Sequence, residues 1–406
     1  VTLRFDPYDP ALHADPYPVY RRLRDEYPVH YEASRDFFTL SRHDDVLAAL
    51  EDPETYCSRE GVAVGVPLPP EPARQTPLLI MMDDPRHRQL RGLVSRAFTP
   101  RRVAELEPRI RKIAGELLDG LAQAAEPDLV RDFSAPLPTI VIAELLGVPP
   151  ADQRWFKEKS TQIAQFDPAR GVGLDARGLS PALELASYLA GELDRRRRDP
   201  RDDLLSALLE AEVAGERLTQ AELVGFAFLL LVAGNETTTN LISNAAILLD
   251  RHPEQRRLLA EEPTRIAAAV EEFLRYDSPV QGLARTTTHP VRLHGVEIPA
   301  GRKVLLLFAS ANRDERRIAD PDRFDVTRDP NPHLAFGFGT HFCLGASLAR
   351  LEARVAFEEL LARFPGYRLR PGPIERMCSG PIRGALRLPL ARSGRHDGSL
   401  DQASRP

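Results

Sequence analysis

The sequence predicts a mainly α-helical protein with a small β part, and three features carry that prediction. Long stretches space their apolar residues at helical intervals: PYPVYRRLRDEY from Pro16, RVAELEPRIRKIAGELLDGLAQA from Arg102, ALELASYLAGELDRRRRD from Ala182 and TRIAAAVEEFLRY from Thr264. Short alternating runs, FFTLSR from Phe37, VRLHGVEI from Val291 and KVLLLFAS from Lys303, read as strands with turn residues between them. One long apolar stretch runs from about Gln220 to about Asp250 and reads as a central strut. Thr219 and Glu222 before it stand at capping-box spacing, and Pro253 closes its far end.

Composition narrows the setting. The 406 residues carry 54 basic and 59 acidic side chains, a net charge of -5, which gives no reason to expect nucleic acid or an anionic membrane as the main partner. No linker or internal repeat divides the chain, so residues 1–392 are expected to form one domain and residues 393–406 a disordered tail. The start, VTLRFDPYDP, lacks the pattern of a secretory signal, and the longest apolar run, Leu223 to Ala233, falls short of the ~20 residues of a membrane span. Cys57, Cys343 and Cys378 are few, odd in number and far apart, which suits a reducing, cytoplasmic setting. The arginine run Asp194 to Asp199 is bracketed by acids and reads as a solvated helix end.

Two segments stand out chemically. Within the strut, AGNETTTN from Ala233 to Asn240 sets an acid, a glycine and three threonines in an apolar helix. Gly234 costs about 1 kcal/mol against alanine, and threonine hydroxyls compete for backbone carbonyls, so the turn is expected to loosen or bulge. A flat ligand facing the glycine explains the pattern; a polar patch where the helix surfaces explains it equally well. The second segment is FGFGTHFCLG, Phe336 to Gly345. Gly337 and Gly339 permit positive φ, so the loop folds tightly beneath Cys343, and the helix that follows places the sulfur near an amino terminus, where thiolate is favoured. A structural zinc needs four ligands, whereas a single axial bond to haem iron needs one.

At this point the chain resembles a bacterial, actinobacterial-type cytochrome P-450 over nearly its whole length. Phe336, Gly339, Cys343 and Gly345 meet the family's cysteine pattern, AGNETT lies on the long helix, and EFLR, Glu272 to Arg275, precedes the sheet. The resemblance implies that fold, a long helix over haem b with small mixed sheets, and a haem-thiolate monooxygenase that hydroxylates or epoxidises a hydrophobic substrate. It implies Cys343 as the iron ligand, Ala233 and Gly234 beside the haem, and His87, Arg91, Arg285 and His341 around its propionates. It implies Glu236 and Thr237 as the acid and alcohol that handle protons in oxygen activation, and Glu272, Arg275 and Arg323 as a structural network.

No flavin or iron–sulfur domain is expected from these 406 residues, so the family pattern implies a separate ferredoxin and NAD(P)H-dependent reductase, with O2 as co-substrate and the chain a monomer. Arg88, Arg96, Arg111, Lys112, Arg350 and Arg354 are expected to flank the cysteine side, where a basic patch would steer an acidic donor. The pocket is expected from the loop Arg59 to Leu79, the region Phe156 to Leu185, the strut residues Phe226, Leu230 and Ala233, and Val280, Gln281, Gly282 and Leu283. Sterols, terpenoids, fatty acids and polyketide or peptide natural products all fit such a lining. A peroxide-driven peroxygenase and a haem-binding sensor or carrier without turnover stay open as other readings.

Overall fold

The computed structural model describes residues 3–65, 77–95, 98–164, 176–213, 216–377 and 379–391. The helices that build the site are, in chain order, α1 (Tyr17–Glu26), α2 (Arg86–Val94), α3 (Glu107–Gln123), α4 (Pro136–Leu145), α5 (Gln153–Ala164), α6 (Ala176–Arg198), α7 (Gln220–Arg251), α8 (Ile266–Tyr276) and α9 (Ala346–Arg363). The helix expected from Arg102 breaks at Leu106 into Pro100–Glu105 and α3. Pro108 is the reason, since a proline lacks the amide donor and fits only the first turn of a helix.

The strut is α7, 32 residues long. Its capping box is complete: the Glu222 amide donates to the Thr219 hydroxyl at 3.2 Å and the Thr219 amide to the Glu222 carboxylate at 3.0 Å. Arg86 of α2 also bonds that carboxylate, so the strut's start is tied to the helix carrying His87 and Arg91. By length and composition α7 passes for a membrane span. In the fold it is the core helix, packed against α4, α5, α6 and α9. Its buried residues join the largest apolar cluster, with Phe133, Ile142, Leu189 and Phe357 among its members.

Five strands, β1 (Val29–Glu32), β2 (Phe37–Leu40), β3 (Tyr56–Cys57), β4 (Leu283–Thr287) and β5 (Lys303–Leu306), form one mixed sheet in the order β1-β2-β5-β4-β3. Pairing is parallel between β2 and β5 and antiparallel elsewhere. The run KVLLLFAS is strand only to Leu306, after which Phe308–Ala311 turns helical. VRLHGVEI is a separate hairpin, with His294 and Gly295 both at positive φ in its two-residue turn.

The arginine run corrects one expectation. Arg195, Arg197 and Arg198 face solvent, but Arg196 is 1% exposed and bonds Glu192, Asp203 at 2.8 Å and the Gly147 carbonyl. A charge can be buried when its donors are all engaged, and the acids that engage Arg196 include one from beyond the helix end. The segment is thus partly a structural clasp between α6 and its neighbours.

Candidate active site

Midway along the buried strut, Ala233 is exposed, and Leu230, Gly234 and Thr237 around it are half-buried. Phe226, Leu230, Ala233 and Thr237 follow one another at helical spacing, so they form one stripe, though Phe226 itself is buried in the core. The expected bulge is absent, for α7 is continuous α-helix through this stretch. The Thr237 hydroxyl donates to the Ala233 carbonyl at 2.6 Å, an i−4 bond within regular helix. Gly234 has a different role from the one read in sequence: a Cβ there would meet Ile142 at 3.6 Å, so the glycine turns toward α4 and Ala233 carries the open face.

Beside them, Asn235 is buried and pins three helices together. The Thr139 hydroxyl of α4 donates to its Oδ1 at 2.8 Å, and its Nδ2 donates to the Ser160 hydroxyl of α5 at 3.1 Å. Glu236 is buried. Lys157 of α5 is pushed down by burial, against which Glu236, Asp132 and Asp128 act as neighbouring negative charges. Nothing in the sequence around Lys157 marks it as a neighbour of the acid, because the proximity is made by helix packing.

The cysteine loop is tight, as its glycines require. Gly337 and Gly339 have φ of 69° and 65°, and a Cβ on Gly339 would stand 2.8 Å from the Leu50 carbonyl oxygen. The Cys343 amide donates to the Phe336 carbonyl at 2.9 Å. Burial pushes the Cys343 thiol up, while the Gly345 amide, Arg91 and Arg350 pull the other way. The donors expected from the sequence are present, but burial outweighs them for a free sulfur.

His87 and Arg91 from α2, Arg285 from β4 and His341 from the loop converge. The two imidazoles lie with centroids 4.2 Å apart, and His341 Nε2 is 3.2 Å from the Ser58 hydroxyl. Both ring nitrogens of His87 are buried without a hydrogen-bond partner, the Asp84 carboxylate being 3.7 Å away. Arg285 is buried, its side chain donating to the Ala284 carbonyl at 2.8 Å, and burial pushes its guanidinium down to about 10. Arg91 bonds the Phe342 carbonyl. Among the described residues no carboxylate hydrogen-bonds Arg285, Arg91 or His341. Two guanidinium groups crowded beside two imidazole rings are costly unless an anion joins them, and the arrangement fits the two carboxylates of haem.

In the haem-free protein this cluster sets a pH dependence. Burial first, then Arg285, His87 and Arg91, push His341 down to about 3, and burial with Arg91 lowers His87. Both rings are therefore neutral in the fold near neutrality but protonate in the unfolded chain at about 6.5. The unfolded state gains more protons as pH falls, so stability is full above about 6.5 and is lost from there downward toward 3. The urea midpoint of haem-free protein should fall through that window, and fall less in His341→Gln. Identical pH profiles for the two proteins would contradict this.

Glu272 and Arg275 are wholly buried and bond twice at 2.7 Å. Arg275 also donates to the carbonyls of Asn312, Pro321 and Arg323, and Glu272 accepts from the Asp325 amide and Asn331. The Arg323 side chain does not join them: it is 69% exposed beside Asp325. Arg328 takes that place, its Nε 3.4 Å from Glu272, because the chain turns between the two arginines and brings the later one inward. Asn312 extends the network, accepting the Leu334 amide at 2.6 Å at the entrance of the cysteine loop.

Other expectations are corrected. Gln281 is buried, accepting from the Tyr20 hydroxyl and donating to the Ser278 carbonyl, so its polar groups are engaged in the fold. Gly282 is demanded by backbone approach, a Cβ there meeting the Leu306 carbonyl oxygen at 2.5 Å. Val280 and Leu283 are half-buried. Phe156 and Leu185 are core residues, while residues 66–76 and 165–175 lie outside the described residues. Arg96, Cys378 and the tail 393–406 also lie outside them. The basic residues of the cysteine side are not free charge: Arg88 pairs with Asp84, Arg111 with Glu107, Glu358 and Glu359, Lys112 with Glu116, Arg350 with Glu271 and Arg354 with Glu107 and Glu358.

The family model for cytochrome P450 matches residues 190–366. The chain is 44% identical to the vitamin D(3) 25-hydroxylase of Pseudonocardia autotrophica, over 97% of this chain and 98% of that one. It superposes on cytochrome P450 CYP109Q5 from Chondromyces apiculatus with a TM-score of 0.87 at 42% identity, covering 96% and 98% of the two chains. It also superposes on CYP109E1 from Bacillus megaterium, solved in complex with testosterone, with a TM-score of 0.86 at 36% identity, covering 94% and 98%. Relatedness of this extent, joined to a tight cysteine loop and the convergence of His87, Arg91, Arg285 and His341, makes the chain a member of the cytochrome P450 family, a haem-thiolate monooxygenase with haem b as its cofactor.

Proposed function

We propose that the protein hydroxylates a bulky, largely apolar substrate of steroid type, using O2 and two electrons passed from a ferredoxin by an NAD(P)H-dependent reductase. The observation that carries this reading is the open stripe on α7: Leu230 and Ala233 offer an apolar surface, and buried Glu236 and half-buried Thr237 stand at its edge. The substrate class draws support from the printed names of the relatives, one a vitamin D(3) hydroxylase and one bound to testosterone. When bound, haem supplies oxygen activation and C–H oxidation. The chain supplies the surroundings. Cys343 would supply the sulfur that holds the iron, with the Gly345 amide, Arg91 and Arg350 favouring its charge. Arg285, His341, His87 and Arg91 would hold the haem carboxylates. Glu236 and Thr237 hold and pass protons, a role for which a buried acid beside a hydroxyl is suited.

The test is a steroid panel titrated against the holoprotein while the haem absorption band is watched, followed by turnover with ferredoxin, reductase and NAD(P)H. Band shifts and coupled product are expected. Equal product from hydrogen peroxide alone would favour the peroxygenase reading, and substrate-independent spectra with no turnover would favour a carrier. Thr237→Ala should keep the haem band yet lower product per NAD(P)H by roughly 10- to 100-fold, with the missing electrons found as peroxide. Unchanged coupling would remove Thr237 from the proton path.

A further inference from the structure

We propose that Arg350, gripped by Glu271, is a positioning residue that sets the field around the Cys343 sulfur and with it the ferric–ferrous equilibrium of the haem. The proposal rests on Cys343 being the axial ligand. Three separate parts of the chain meet here: Glu271 on α8, Arg350 on α9, and His333 just before the cysteine loop. Arg350 Nε and Nη2 each donate to Glu271 at 2.8 Å, and His333 Nε2 lies 3.1 Å from the same carboxylate. The guanidinium then lies over the Phe336 ring, 4.6 Å from its centroid. Phe336 accepts the Cys343 amide at 2.9 Å, and its ring edges that of Phe342 at 6.3 Å. One carboxylate therefore anchors the loop on both sides of the sulfur.

The geometry favours a fixed charge over a flexible one. A planar fork on a carboxylate, laid flat on an aromatic face, leaves the guanidinium little freedom. The arginine is 37% exposed, so part of its field escapes solvent screening. Arg91 also reaches this loop, bonding the Phe342 carbonyl. Burial pushes Glu271 up, but its bonds to Arg350 and His333 prevail and hold it at about 2, so it stays a carboxylate at neutral pH. A cation near the sulfur favours the more electron-rich state of the haem, and an anion favours the other. Neutralising Arg350 and neutralising Glu271 should thus move the equilibrium in opposite directions, which a general loosening of the loop has no reason to do.

The test is a spectroelectrochemical titration of substrate-free holoprotein as wild type, Arg350→Gln and Glu271→Gln. Each is first checked for the red-shifted Soret band of the reduced carbon monoxide complex. Absence of that band in the wild type would defeat the Cys343 assignment, a failure distinct from that of the present proposal. With the band present, Arg350→Gln should shift the equilibrium about tenfold toward ferric, a fall of ~59 mV for one electron. Glu271→Gln should shift it about threefold to tenfold toward ferrous. If Arg350→Gln does not retain haem, the upward shift in Glu271→Gln decides alone. Midpoints that stay within about twofold of wild type, or that move in one direction in both variants, overturn the proposal.

Discussion

Cys343→Ser is expected to abolish substrate oxidation and remove the red-shifted Soret band of the reduced carbon monoxide complex while leaving the protein folded. The loop does not depend on the sulfur for its shape. Its turns come from Gly337 and Gly339 and from the backbone bond between Cys343 and Phe336, all of which serine preserves. What serine cannot supply is a soft anionic ligand, since its hydroxyl stays neutral where a thiol ionises. A second consequence follows from burial. The free thiol is pushed up above its ordinary range, so ligation must release its proton. Haem affinity should therefore rise with pH between about 7 and 9, by up to tenfold per unit, a window in which His341 and His87 are already neutral. Cys343→Ser should flatten that slope. An unaltered carbon monoxide spectrum in the variant would remove Cys343 from the iron.

Arg275→Ala and Glu272→Ala are expected to cost ~3–5 kcal/mol each, because either change leaves a fully buried partner charge uncompensated. The loss should spread beyond the pair. Arg275 holds three carbonyls between Asn312 and Arg323, and Asn312 in turn holds the Leu334 amide that begins the cysteine loop. Loosening that chain should lower haem retention along with the urea midpoint. Arg323→Ala is the control: its side chain is exposed, so it should change stability by no more than about 0.5 kcal/mol. If Arg275→Ala unfolded at the wild-type midpoint, or if Arg323→Ala proved as damaging, the network described here would be wrong.

The elements most legible in the sequence are those set by neighbours along the chain. The strut was readable from its apolar run and from Thr219 and Glu222, since a capping box is a contact between residues three apart. The hairpin at His294 and Gly295 was readable for the same reason. The cysteine loop was readable because its glycines report a backbone conformation that few other residues adopt. Misreadings began where a residue's partner lies far away. By sequence Gln281 reads as pocket lining, but the Tyr20 hydroxyl, far away along the chain, donates to its side-chain oxygen. Arg350 looked like one more solvent-facing cation until α8 presented Glu271 to it.

Sequence alone therefore determined the helical class, the strut and the cysteine loop, because each is written in residues close enough along the chain to interact directly. Tertiary structure alone decided which charges are buried and which are spent: Arg196 clasped inward, Arg328 in place of Arg323, and the cations of the cysteine side already paired with acids of the same chain. The reason is physical. A charged side chain's role depends on its desolvation and on the groups brought opposite it, and both are properties of packing between distant segments.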